Sequence, residues 1–126
     1  MRMANCPCGT GLIYEECCGP FHQAVSAAPT AEALMRSRFS AYAHGDAAYV
    51  LRTWHSKTRP RHLDLADDPR WTRLEILGRT GGALFDSEGT VHFAAYYVDG
   101  GQPGVMREDS RFIREGGEWF YVGPLR

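Results

Sequence analysis

The sequence predicts an α+β fold: helices packed on a curved antiparallel sheet, preceded by a small cysteine-built module. Three observations carry this. All four cysteines fall between positions 6 and 18 of a 126-residue chain. Helix start and stop signals cluster between positions 30 and 60. From position 71 onward, four strand-like runs alternate with glycine-rich turns. The length suits one domain. With 44% hydrophobic and 23% charged residues, the composition is that of an ordinary globular chain.

The first element is the cysteine cluster. Cys6, Cys8, Cys17 and Cys18 are spaced as C-x-C, eight residues, then C-C. Disulfides are one reading, but they are rare in a reducing compartment, and bridging the neighbours Cys17 and Cys18 strains the backbone. Structural zinc, which wants four thiolate or imidazole ligands in a tetrahedron, is the favoured one. Unmetallated thiols and a redox pair are the remaining alternatives. Gly9 and Gly11 let the chain turn tightly after the first pair. Residues 12–18 are long enough for about two helical turns. Cys17 and Cys18 then both reach one ion from the last turn, with Gly19 just past its end and Pro20 as a stop. His22 could replace one sulfur. With four sulfurs available it reads as a surface or packing residue. Four sulfurs leave no open position, so the zinc would be structural and not catalytic.

The segment NCPCGTGLIYEECCG resembles the SEC-C motif, the zinc-binding module also found at the C-terminus of the SecA translocation ATPase. Cys6, Cys8, Gly9, Gly11, Tyr14, Cys17, Cys18 and Gly19 fall on its pattern. Thr10 stands where Ser is usual, and Leu12-Ile13 where a Lys-Lys pair is usual. The resemblance implies a contact with ribosomes or partner proteins. The missing basic pair is a departure from it.

Residues 20–30, small and bounded by prolines, read as a linker. Thr30 suits an N-cap, with Glu32 in the first turn, where the helix dipole favours an anion. A helix is expected over residues 31–44, ended by Gly45. Asp46 caps a second helix to about residue 54, and Pro60 closes the region. The charged stretch 56–70 reads as a loop, with a short helix near 63–67. Strands are expected over 71–80, 90–98, 105–114 and 118–122. Gly81-Gly82, Asp99-Gly100-Gly101 and Gly116-Gly117 separate them as hairpin turns would.

The blocks LMRSRFSAYAHGDAAYVLRTWHSKTRP, GTVHFAAYY and EDSRFIREGGEWFYVG resemble the YchJ (UPF0225) family. That family joins an N-terminal SEC-C module to a domain of the NTF2-like cone fold. The resemblance implies a zinc-binding module over residues 1–22 and an NTF2-like α+β domain over 23–126. Where the family often has Pro-Ser-Thr-Arg-Pro after Trp54-His55, this chain has Ser56-Lys57-Thr58-Arg59-Pro60, a less rigid turn. Many NTF2-like relatives are enzymes or ligand binders that use a pocket between sheet and helices. Fold alone does not transfer a reaction.

Candidate pocket residues follow from periodicity. At 100° per residue, Leu34, Met35, Phe39 and Tyr42 share one side of the first long helix. Arg38 falls inside that apolar stripe, whereas Arg36 points away. A buried arginine must find a partner or reach out to water. Period-two alternation puts Met106, Glu108, Ser110 and Phe112 on one face of the third strand. An Arg38–Glu108 ion pair fixing helix to sheet is the expected structural use, and a ligand site its functional alternative. Trp54, His55 and Arg59 form a second cluster where the second helix ends. His55 serves there either as a general base or as a favourable group at a helix C-terminus. Tyr97 and Trp119 are candidate aromatic walls. His92 is expected to point outward, and His44 and His62 to lie at the surface.

The charge balance, 14 Lys and Arg against 15 Asp and Glu, gives a net charge of −1. That argues against specific DNA binding or an electrostatic grip on anionic lipid. All basic residues except Lys57 are arginines, suited to planar bidentate contacts. No apolar run approaches the roughly 20 residues of a membrane helix. The N-terminal MRMANCPCGT lacks the apolar stretch of a secretory signal, so the cytoplasm is the expected location. Signatures of phosphate-binding loops, zinc proteases and serine hydrolases are absent. Two function classes remain. One is a zinc-stabilised adaptor that docks on a protein or the ribosome, a secretion or chaperone component included. The other is a small-molecule binder or enzyme built on the cone. A homodimer through an exposed sheet edge or face is compatible with either.

Overall fold

The computed structural model describes residues 4–125; residues 1–3 and 126, the outer ends of the two expected domains, lie outside the described residues. A 3-10 turn over Tyr14–Glu16 leads to three helices, α1 (Gly19–His22), α2 (Ala31–His44) and α3 (Ala47–Arg52). Four strands follow, β1 (Arg70–Gly81), β2 (Glu88–Asp99), β3 (Gln102–Glu115) and β4 (Glu118–Pro124). They form one antiparallel sheet in the order β1-β2-β3-β4. The result is the expected α+β architecture, with α2 lying across the sheet.

The helix signals are local, and α2 obeys them. Thr30 Oγ1 accepts from Ala33 N at 3.0 Å, and Gly45 ends the helix at φ 73°, a conformation that costs a glycine little. Asp46 Oδ1 caps α3 by accepting from Tyr49 N at 3.1 Å. That helix stops at Arg52, two residues short of the expected end. There the chain turns to join the sheet: Tyr121 N donates to Thr53 O at 2.9 Å, and His55 N to Tyr121 O at 2.8 Å. Trp54 thereby makes a parallel bridge to Tyr121 at the β4 edge.

The last two hairpins are tighter than expected, and their strands run right to the turn. Gly100 and Gly101 have φ of 57° and 84°, and Gly116 and Gly117 have 60° and 82°. Positive φ at both central residues gives the turn whose twist matches the strands.

Four expectations need correction. Residues 12–18 form one 3-10 turn, not two helical turns. Gly19-Pro20 opens a helix instead of closing one. Proline is tolerated in a first turn, where its missing N–H has no partner to lose. Glycine suits the position beside it, because a Cβ would sit 3.0 Å from the Tyr14 carbonyl oxygen and 3.2 Å from the Tyr14 ring, a tight fit. Residues 20–30 are not a free linker, since Ala28 is buried and Trp119 Nε1 donates to Pro29 O at 3.1 Å. The short helix at 63–67 does not form. Asp64 Oδ1 takes the Ala66 N–H at 2.9 Å, in competition with helical bonding.

The main core lies between α2 and the concave face of the sheet. Leu34 and Phe39 of α2 meet Leu74, Val91, Phe93, Phe112 and Trp119. Burying each such side chain contributes about 1.5–3 kcal/mol.

Candidate functional site

Two sites lie on opposite sides of α2's sequence stripe: a sulfur cluster and a pocket. The cluster is built by turns. Cys6 N donates to Leu12 O at 2.8 Å and Gly9 N to Cys6 O at 3.2 Å, so Cys6 and Cys8 stand on a tight knuckle. Gly9 and Gly11 take φ near 90° there. The four Sγ atoms of Cys6, Cys8, Cys17 and Cys18 lie within 4.8 Å of one another, with Cys8–Cys17 at 3.5 Å and Cys17–Cys18 at 4.0 Å. A tetrahedral ion with sulfur arms of about 2.3 Å needs edges of about 3.8 Å. The cluster therefore has the dimensions of a metal site. Cys6, Cys8 and Cys18 are buried, and Cys17 is half-buried.

Electrostatics point the same way. Hydrogen bonds from Cys18 and then Cys8 hold the Cys6 thiol far below its ordinary range. Cys18, which donates to Cys6 and to Cys8 and is buried, is pushed far above it. Four sulfurs this close share protons until a cation lets all of them be thiolates. Thr10 Oγ1 accepts from Leu12 N at 3.3 Å and lies 3.1 Å from Cys17 Sγ, so its hydroxyl supports the most exposed sulfur. His22 stands outside the cluster. Its Nε2–H donates to Ser37 O at 2.8 Å, and its Nδ1 accepts from Tyr14 OH at 2.6 Å. Burial lowers its pKa and keeps it neutral.

The cluster is fastened to α2. Arg36, the arginine directed away from the apolar stripe, donates from Nη1 to Cys8 O at 2.6 Å and from Nε to Glu32 Oε2 at 3.0 Å. Ser40 Oγ lies 3.6 Å from Cys6 Sγ. None of Thr10, Arg36, Ser37 and Ser40 was singled out by sequence as support for the cluster. Only the position of Arg36 on the wheel hinted at a partner off the core.

Between α2 and the concave sheet face lies a cavity of about 190 Å3. Met35, Arg38, Phe39 and Tyr42 line it from α2, and Trp54 from the end of α3. The sheet contributes Trp71, Phe93, Ala95, Met106, Glu108, Ser110 and Tyr121. Arg38 is buried, with 3% of its surface exposed. The expected Arg38–Glu108 ion pair is absent: no ion pair within 4.0 Å joins them. Arg38 Nη1 instead donates to Val50 O and Thr53 Oγ1, both at 2.8 Å. The carbonyls that end α3 form a negative pole that suits a cation. The Trp54 and Tyr121 rings lie 5.1 and 4.4 Å from the guanidinium carbon. Burial brings the Arg38 pKa down to about 10, so it stays charged at neutral pH.

Glu108 is occupied by hydroxyls. Its Oε2 accepts from Ser110 Oγ at 2.5 Å and Tyr121 OH at 2.7 Å. Burial, and then the Glu108 carboxylate, raise the Tyr121 phenol well above its ordinary value and keep it a donor. Burial likewise raises Tyr42. Tyr121 therefore stands where direct pairing was expected, with its ring under Arg38 and its hydroxyl on Glu108. It lies two residues beyond Trp119 on the same strand face, and that alternation was the available signal.

Four expected pocket residues lie elsewhere. Trp119 is 3% exposed and sits in the core beneath Pro29. Trp119 and Tyr121 lie on one strand face, opposite Arg114 and Phe112, and it is Tyr121, not Trp119, that reaches the cavity. His55 is buried outside it. Its Nδ1 accepts from Lys57 N at 3.1 Å, and its Nε2 lies 3.1 Å from Glu115 Oε1, off the line of a hydrogen bond. Arg59 is exposed and donates from Nε to Trp54 O at 3.0 Å. Both bond within the turn after α3, and His55 does so by accepting a main-chain N–H, not by donating to a carbonyl. Tyr97 packs on Trp71, with ring centroids 5.3 Å apart, and is not a cavity wall. His92, His44 and His62 are exposed, as expected.

Comparisons with known proteins agree with this architecture. The family model described as the YchJ middle NTF2-like domain matches residues 30–124. A UPF0225 protein of Streptomyces coelicolor is 54% identical over 122 residues, covering 97% of this chain and 95% of that one. One from Corynebacterium glutamicum is 54% identical over 117 residues, covering 93% of each. Among solved structures, a SEC-C motif containing protein from Rhodopseudomonas palustris, determined in solution, superposes with a TM-score of 0.85 at 32% identity. The match covers 97% of this chain and 98% of that one.

Proposed function

Since this chain belongs to the YchJ-like UPF0225 family, we propose that it is a small-molecule-binding protein. Its NTF2-like domain carries the binding pocket, and its SEC-C module holds a structural zinc ion through Cys6, Cys8, Cys17 and Cys18. One observation supports the pocket reading above all. The cone is not filled by side chains, and the buried cation on its wall is not neutralised by a carboxylate within 4.0 Å. Apolar walls with a few convergent polar groups are the usual make-up of a ligand site.

Native mass spectrometry of the full chain tests it, beside Ala95→Leu, which fills the cavity without touching its polar groups. The parent should retain or take up a small molecule that the variant excludes, at similar melting temperatures. A variant that binds as the parent does would overturn the reading.

The zinc assignment is supported by the four-sulfur donor set, which suits a soft tetrahedral ion and fills its coordination shell. Elemental analysis should give one zinc per chain, and another metal or none would overturn it. When bound, the ion supplies cross-linking and no chemistry.

The adaptor reading is favoured by a separate feature. Leu12 is 49% exposed at the tip of the module, beside exposed Thr10, Glu15 and Glu16. An apolar and acidic tip suits a protein surface better than ribosomal RNA. Ribosome co-sedimentation from lysate at two salt concentrations separates these. Pelleting that fades with salt and needs Cys17 would favour the ribosome. A cytoplasmic location is part of both readings, and no described helix is long and apolar enough to cross a membrane.

A further inference from the structure

We infer that the cone pocket takes a small aromatic carboxylate that carries a hydroxyl or amino group on its ring. The carboxylate lies on Arg38 and Trp54, and the ring donor on Glu108. This rests on the pocket reading above and gives it a ligand class.

Arg38 has hydrogen bonds left to give. Arg38 uses Nη1 on Val50 O and Thr53 Oγ1, and no acceptor among the described residues takes the hydrogens on Nε and Nη2. Those two point the same way along one edge of the guanidinium and match the two oxygens of a carboxylate. The edge is held in place by its bonds to the end of α3 and by the Trp54 and Tyr121 rings. Trp54 Nε1–H is buried with no partner, and the Trp54 side chain that carries it lines the same cavity. A buried donor left unpaired is costly and calls for an acceptor. Two unsatisfied donor groups on one wall specify an acceptor-rich, planar group.

The opposite polar group asks for the reverse. Glu108 Oε2 takes both the Ser110 and Tyr121 hydroxyls, and Oε1 has no protein donor among the described residues. A hydroxyl or amino hydrogen on the ligand completes it. Glu108 also argues against a phosphate, whose second negative charge would face a carboxylate with one arginine to offset it. The rest of the wall is apolar and mostly aromatic, chiefly Phe39, Trp71, Phe93 and Met106. An apolar cavity of about 150 Å3 holds benzene. At about 190 Å3, this one holds a single ring with short substituents.

The test titrates 4-hydroxybenzoate, benzoate and phenol into the full zinc-loaded chain. The readouts are the Trp54 and Trp71 indole signals in NMR, with a melting curve to verify that each variant folds. The expected order is 4-hydroxybenzoate tightest, with benzoate and phenol each about tenfold weaker, the loss of one good hydrogen bond. Trp54→Phe keeps the ring and removes the donor. Read at Trp71, it should weaken both carboxylates about tenfold and leave phenol unchanged. Glu108→Gln should narrow the gap between 4-hydroxybenzoate and benzoate. Phenol that binds as tightly as 4-hydroxybenzoate, or carboxylates indifferent to Trp54→Phe, would overturn the ligand class while the pocket stands. If no probe moves either indole signal at millimolar concentration, the pocket reading falls with it.

Discussion

Arg38, Tyr121 and Glu108 form a chain in which each link is weaker than a buried ion pair but better hydrated or better bonded. A direct buried pair would lose about 3–5 kcal/mol when one partner is removed. Here Glu108 is half-buried and bonded to two hydroxyls. Glu108→Gln should therefore cost only about 1 kcal/mol in a denaturant melt, since an amide oxygen in the Oε2 position still accepts from both hydroxyls and only the charge is lost. A loss of several kcal/mol would mean that Arg38 leans on Glu108 after all. The sequence showed that Arg38 and Glu108 face inward, because helical and strand periodicity decide that. It could not show what they bond. The acceptors of Arg38 are a main-chain carbonyl and a hydroxyl where α3 ends, and backbone atoms carry no signature in a residue pattern. The exchange of Trp119 for Tyr121 has a similar origin, since alternation names a face but not a depth along it.

Among the elements, α2 was fully legible and α1 was not. Thr30 and Gly45 mark the ends of α2 by their own chemistry. Thr30→Ala should lower stability by about 1 kcal/mol through the lost cap, read as a shift in melting temperature. The outer face of α2 adds a pH-dependent term. Partial burial would raise the Glu32 pKa, but hydrogen bonds and charge from Arg36 and Arg79 outweigh it and hold the carboxyl below its ordinary range. The resulting stability is present above the unfolded value near pH 4.5 and is lost as pH falls through the lower folded value. Glu32→Gln should cost up to about 1 kcal/mol at pH 7, a figure kept small by solvent screening, and progressively less below pH 4. Equal losses at both ends of that range would remove Glu32 as the cause. In α1, Gly19 and Pro20 look like a helix stop because that is their common use. The tertiary contact with Tyr14 reverses it. Gly19→Ala should loosen the module, seen as faster zinc release to a chelator.

At the scale of the whole molecule, the contacts cross the boundary drawn at residue 22. His22 bonds Ser37, Arg36 bonds Cys8, and Cys6 touches Ser40, all on the helix that also carries Arg38. Losing zinc should therefore be felt in the pocket. Cys17→Ser, or chelation of the parent, should shift the backbone signals of Ser37 and Ser40 and broaden the Trp54 indole signal, with the sheet's own signals largely unchanged. Unaltered α2 signals after metal loss would show that the module is merely tethered. The separation of module and sheet was legible in the cysteine spacing and the glycine turns. Their adhesion was not, because it depends on a main-chain carbonyl, one serine and one arginine, none of which marks a contact in a residue pattern.

The meander order of the sheet also sets when the pocket comes into being. Each strand pairs with its neighbour in sequence, so three hairpins can close over short loops, and such local pairings form early. The bridge between Trp54 and Tyr121 is different, because it joins the end of α3 to the last strand across nearly the whole sheet. It closes a long loop, and a contact of that span bears a larger entropy cost than any hairpin. Trp54 and Tyr121 flank Arg38, so the binding wall is complete only once the barrier to the native state has been crossed. An occupant of the pocket should then lengthen the lifetime of the native protein by slowing unfolding, and leave the refolding rate almost untouched.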